Sequence, residues 1–138
     1  MIRLTMHFFL TICLYLFLLQ FAAAEPYLCP VEVSRVIDGD TVVGDVSLGF
    51  GIVLQGQHIR AATFDTWELT GSQKPRGQLA RLALFDLRDD AVGFYLEPIE
   101  RPRDHFGRLL GVWWYRDTEG QLKRVRDYME AGGHLKDK

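Results

Sequence analysis

The sequence predicts a small α+β barrel, mainly β, of five strands with one helix before the fourth strand and another after the fifth. Three observations predict it. Short runs rich in Val, Ile and Leu are separated by turns built from Gly and Asp. Between the third and fourth runs, a segment opens on Lys74-Pro75 and repeats leucine at helical spacing. The chain has 138 residues, 48% of them hydrophobic, which suits one domain with one modest core. That composition excludes a disordered chain, a collagen-like repeat and a multi-spanning membrane protein.

Tyr27 to Ile37 is the first strand, ending at the turn Asp38-Gly39-Asp40. Thr41 to Leu48 alternates well enough for a second. Gly49-Phe50-Gly51 is a turn with two glycines free to take positive φ, and Ile52 to Phe64 is the returning strand. Asp65 to Gln73 is a polar loop. In the helix that follows, Leu79, Leu82, Ala83 and Leu87 form the face expected against the sheet. Val92 to Ile99 is the fourth strand, Arg101 to Arg108 a basic loop, and Leu109 to Tyr115 the fifth strand. After the turn Asp117 to Gly120, Leu122 to Ala131 is a second helix stopped by Gly132-Gly133. Alternation along Trp113-Trp114-Tyr115 puts at least one of these rings in the core, and leaves base stacking open to an outward one.

Residues 1–24, MIRLTMHFFLTICLYLFLLQFAAA, read as an export signal. Arg3 is a basic start, Ile12 to Leu19 is unbroken apolar sequence, and Ala22-Ala23-Ala24 offers the small residues a signal peptidase accepts. Pro26 blocks a continuing helix. The alternative is an uncleaved anchor, because Leu4 to Ala24 is almost long enough to span a bilayer. Both readings place residues 25–138 outside the cytoplasm as a secreted, periplasmic or membrane-tethered domain. With Cys13 in the apolar run, that domain keeps only Cys29, which forms no internal disulfide and is expected to pack as a small hydrophobe. Pro26-Tyr27-Leu28 lacks the small residues of a lipoprotein acylation site.

The whole chain has 16 Lys and Arg against 18 Asp and Glu. Arg3 is the one charged residue of the first 24, so the rest carries 15 against 18, a net −3. A broad basic nucleic-acid surface is therefore excluded, and any phosphate-handling site must be local.

Three clusters offer such a site. Asp38-Gly39-Asp40-Thr41 sets two carboxylates at a tight turn; alone it is also an ordinary turn sequence, and it lacks the spacing of an EF-hand loop. Arg60 sits among Ile59, Ala61 and Ala62, so it must face solvent, an acid or an anion, and Asp65, Thr66 and Glu68 follow where its strand ends. An Arg–carboxylate salt bridge in a polar loop would use the same residues. Asp104-His105-Phe106-Gly107-Arg108 sets another arginine after a glycine, which also suits a solvated basic loop. Together these supply hard oxygen ligands, a spare carboxylate and two phosphate-binding forks, the requirements for hydrolysing a phosphodiester. His58 and His134 have no second His or Cys at metal spacing and are expected at the surface.

Val36-Ile37-Asp38-Gly39-Asp40-Thr41-Val42, Ile59-Arg60 through Asp65-Thr66-Trp67-Glu68, and Asp104 through Arg108 resemble the staphylococcal nuclease-like (thermonuclease) family from about Val31 to Leu135. The resemblance implies a five-stranded OB-fold barrel with two or three helices, and a Ca²⁺-dependent nuclease acting on DNA and RNA. It implies Asp40 and Asp65 as direct calcium carboxylates and Thr66 as a backbone carbonyl ligand. Glu68 is implied as the general base, Arg60 and Arg108 as the arginines that stabilise the transition state, and Asp38 as a carboxylate near the metal. Cleavage of the P–O5′ bond would leave 3′-phosphate products, on single-stranded or denatured substrate and by a monomer.

Some positions depart from the family. Trp67 stands where Pro is usual, His105 and Phe106 replace Lys and Tyr, and Gly44 to Gln57 is longer. The family continues beyond a point matching Lys138 into a segment whose aromatic residues flank the nucleotide. The competing reading is a non-catalytic OB-fold module that binds nucleic acid or a protein partner. Such a module is expected to have lost some of Asp40, Arg60, Asp65, Glu68 and Arg108, and this chain keeps all five.

Overall fold

The computed structural model describes residues 26–136, so the export or anchor segment expected at residues 1–24 lies outside the described residues. Among them no helix is long and apolar enough to cross a membrane. The strands are β1 (Cys29–Val36), β2 (Thr41–Gly49), β3 (Ile52–Ala61), β4 (Gly93–Arg103), β5 (Leu109–Arg116) and β6 (Leu122–Arg124). The helices are α1 (Lys74–Asp90), entered through a 3₁₀ turn at Gly71–Gln73, and α2 (Val125–Ala131).

Antiparallel pairing joins β3 to β2, β2 to β1, β1 to β4 and β4 to β5. Parallel pairing of Ile59, Arg60 and Ala61 with Leu109, Leu110 and Gly111 then closes a five-stranded mixed barrel. The molecule is thus the expected OB-fold-like α+β barrel, with β6 as a sixth strand outside the closed ring.

Inward positions follow the strand alternation. Cys29, Val31 and Val36 of β1, Val42 and Val46 of β2, and Ile59 and Ala61 of β3 are buried. Trp113 of β5 is the largest buried side chain, met edge-on by Phe64 and Phe94 at centroid distances of 5.8 and 5.5 Å. Trp113 and Tyr115 face in, whereas Trp114 faces out and donates its indole N–H to Glu97 at 2.7 Å. Cys29 is buried and unpaired, and Gly49 and Gly51 turn the β2–β3 hairpin at φ 86° and 75°.

Four expectations are corrected. Leu122–Arg124 is a strand, because the turn at Asp117 returns Leu122, Lys123 and Arg124 opposite Arg116, Tyr115 and Trp114; helix starts only at the buried Val125. β3 stops at Ala61 instead of reaching Phe64, since barrel closure uses up its edge when the Ala62 N–H bonds the Gly111 carbonyl at 2.9 Å. β4 runs on to Arg103, which pairs with Leu109, so the basic loop is shorter than expected. Finally, α1 buries Gly77, Ala80, Leu84 and Leu87, with Ala83 partly buried, while Leu79 and Leu82 are each 58% exposed. The cause is close approach. A Cβ on Gly77 would lie 2.2 Å from the Glu68 carbonyl oxygen, so the first half of the helix presents Gly77 and Ala80 inward, Leu84 and Leu87 reach the core farther along, and Leu79 and Leu82 turn outward.

Candidate functional site

The Asp-Gly-Asp turn is locked by its own hydrogen bonds. Ile37 and Asp38 N–H donate to the Thr41 carbonyl at 2.9 and 3.3 Å, and the Asp40 N–H donates to Asp38 Oδ1 at 3.0 Å. A Cβ on Gly39 would lie 2.7 Å from Thr66 Oγ1 and 2.8 Å from Ala80 Cβ. Turn, loop and helix α1 therefore converge on a position that has no room for a side chain.

That convergence buries Asp40, which is 4% exposed. Its Oδ1 accepts hydrogen bonds from Arg60 Nη1 at 2.7 Å and Thr41 Oγ1 at 3.1 Å. Its Oδ2 accepts the Thr66 N–H at 2.8 Å and Thr66 Oγ1 at 3.2 Å. The second arm of Arg60, Nη2, pairs with Asp65 Oδ1. Register explains the meeting: Thr41 lies opposite Arg60, so Asp40, the residue just before β2, stands beside the guanidinium carried by β3. Beside them Asp38 is pushed up to about 6, by burial first and then by the neighbouring Asp40 charge.

Arg108 is held by a separate device. Asp104 Oδ2 accepts Arg108 Nε at 2.7 Å, and Asp104 Oδ1 accepts the Phe106 and Arg108 N–H groups at 2.9 Å each. Desolvation alone would raise the Asp104 carboxyl, but these hydrogen bonds outweigh it and hold the group below the usual carboxylate range. Arg103 closes the turn by donating to the Gly107 carbonyl at 2.7 Å. Leu110 pairs with Arg60, so Arg108, two residues earlier, shares Arg60's side of the barrel wall by register.

Glu68 lies at the rim, its side chain 63% exposed, and its Oε1 accepts Lys136 Nζ at 2.6 Å. Its N–H donates to Gln73 Oε1 at 3.3 Å. Trp67 is covered by the Arg76 guanidinium, 4.7 Å from the ring centroid. On the helix side of this loop, a cleft of about 1120 Å³ is lined by Asp65, Trp67, Arg76, Arg126 and Lys136, among others.

The structure thus brings Asp40, Arg60, Asp65 and Thr66 into direct contact and places Glu68 and Arg108 apart from that contact, each on its own partner. His58 is exposed and His134 half-buried. Sequence reasoning gave Thr41 and Asp104 no role of their own within their clusters and missed Lys136. Asp104 had a signal, four residues before an arginine across a Gly turn. Lys136 had none, since it stands 68 residues from Glu68.

Among the described residues no three His, Cys, Asp or Glu side chains gather as a ready-made metal centre. The oxygen donors nonetheless suit a hard cation. Two carboxylates from different elements already converge on one positive group, the Arg60 guanidinium, and Asp40, Asp65 and the Thr66 carbonyl are the ligand types that Ca²⁺ takes. No protein-family model matches the chain, and no curated protein matches it.

Proposed function

We propose that the protein is an exported, Ca²⁺-dependent nuclease that hydrolyses phosphodiester bonds of DNA and RNA by attack of water, leaving 3′-phosphate products. The observation that supports it best is the sharing of one guanidinium between buried Asp40 and loop Asp65, with Thr66 closing the group. Asp40, Asp65 and the Thr66 carbonyl would hold the cation, which when bound supplies Lewis-acid neutralisation of phosphate charge. Arg60 spends two of its five N–H donors on the acids, which leaves donors for a phosphate oxygen. Arg108, on the same side of the wall, offers a second fork as charge builds in the transition state. Glu68 accepts the proton of the attacking water as its oxygen bonds to phosphorus, and the P–O5′ bond breaks with the 5′-oxygen taking a proton from solvent. With a net charge of −2 over the chain, phosphate capture rests on these local arginines rather than on a broad basic surface, and the substrate proposed is single-stranded or denatured nucleic acid, cleaved by a monomer.

The test follows degradation of denatured DNA and RNA by the purified protein with Ca²⁺, with Mg²⁺ and with chelator. Calcium-specific cleavage to 3′-phosphate ends, abolished in Glu68→Ala, is the expected result. A folded protein that binds nucleic acid without cleaving it would replace this reading with that of a binding module.

A further inference from the structure

We propose that Lys136 is a positioning residue for Glu68, the clasp that fixes the base in place; this rests on the nuclease reading above. After α2 the chain reverses through Gly133, at φ 71°, and the His134 N–H returns to the Met129 carbonyl at 3.0 Å. That reversal lays residues 134–136 beside the loop that begins at Asp65. Three contacts join the two segments. Leu135 bridges Thr66 in antiparallel fashion, the Lys136 N–H donates to the Asp65 carbonyl at 3.0 Å, and Lys136 Nζ reaches Glu68 Oε1 at 2.6 Å.

The loop is therefore held from two sides by different means. Helix α1 fixes its backbone, because Gly77 packs against the Glu68 carbonyl and Arg76 covers Trp67. Neither contact reaches the Glu68 carboxylate, and Lys136 is its one charged partner among the described residues. A glutamate so exposed otherwise samples several rotamers, of which only some aim it at one water. Lys136 is itself only 27% exposed, and its backbone is tied to Asp65, so its ammonium has less room to move than a free surface lysine. The geometry couples the base to the loop that carries Asp65 and Thr66.

The test compares Lys136→Met and Lys136→Arg in the full chain, alone and on a Glu68→Gln background. Since small misplacements of a reacting group cost up to about a hundredfold, losing this partly exposed tether is expected to lower kcat about tenfold with KM changed less than about twofold. Lys136→Arg should restore most of the rate, and on the Glu68→Gln background Lys136→Met should cost nothing further. An unchanged kcat, a faster variant, a change confined to KM, or an equal loss without Glu68 would each overturn the assignment while leaving the nuclease reading standing. If the wild type itself cleaves nothing, the nuclease reading fails instead. The rotamer of the Glu68 side chain, read from its three-bond NMR couplings, then decides the clasp: averaging over rotamers in Lys136→Met supports it, and an unchanged fixed rotamer overturns it.

Discussion

Asp40 and Glu68 are both carboxylates of the candidate site, and they are held in opposite ways. Asp40 is buried at the junction of a turn, a strand and a helix, with four hydrogen bonds on its two oxygens. Glu68 sits at the rim on one ion pair with a residue near the other end of the domain. The difference teaches that the inner group is part of what holds the barrel together, whereas the rim groups can change with little effect on folding. Buried charges that lose a partner are costly, and exposed pairs contribute little.

The sharpest way to test that contrast is at the rim. On the nuclease reading, Glu68→Ala or Arg108→Ala is expected to lower turnover by about a thousandfold, since that reading has each act on the transition state. For the exposed Glu68, stability should move by no more than about 0.5 kcal/mol, as for other surface changes. Turnover assays paired with urea melts check both halves; a large loss of stability would break the comparison. Arg60→Ala should do the reverse of sparing the fold. It leaves Asp40 buried beside an empty space, and with the arginine side chain 27% exposed the cost is about 2 kcal/mol, read from the urea midpoint. Gly77→Ala, which forces a methyl group against the Glu68 carbonyl, should cost about 1–2 kcal/mol by overpacking and also slow turnover by shifting the loop.

The smallest effect concerns pH. Asp38 titrates at about 6 in the folded protein against an ordinary 3.8, so between these values the folded state binds more protons than the unfolded one. Its ionisation therefore weakens the fold as pH rises through that window. Asp38→Asn keeps an acceptor for the Asp40 N–H, and in chelator should gain about 1 kcal/mol above pH 6, a figure discounted for partial exposure. The gain should vanish below about pH 4. Urea melts at pH 4 and 7 distinguish this from a gain that is independent of pH.

The barrel was legible because alternation along β1, β2 and β5 is a direct consequence of one face being buried. The short strand Leu122–Arg124 was not, because three residues carry too little period to separate strand from helix, and pairing with β5 decides them. The inner face of α1 was misread for a related reason. Leucine spacing marks an apolar stripe, but Gly77 and Ala80 face inward because the helix must approach the Glu68 carbonyl and the Gly39 turn. At the site, Asp40, Arg60, Asp65, Thr66, Glu68 and Arg108 were named from motif order, and the structure joins the first four. What motif order cannot carry is the partner of an exposed side chain, so Lys136 emerged only from the fold.

The parallel seam between β3 and β5 has a consequence for the order in which the molecule acquires its parts. Asp40, Arg60, Asp65 and Thr66 all lie within residues 40–66, so the loops that join them are short and cost little chain entropy to close. Arg108 joins only when β5 meets β3, a contact between distant stretches of chain. In a refolding experiment that tracks Ca²⁺ uptake and cleavage side by side, uptake should come first and cleavage only with the seam. On the nuclease reading proposed above, the last contact to form would act as a built-in safety catch, and a chain caught before it closes is expected to hold an ion and cut nothing.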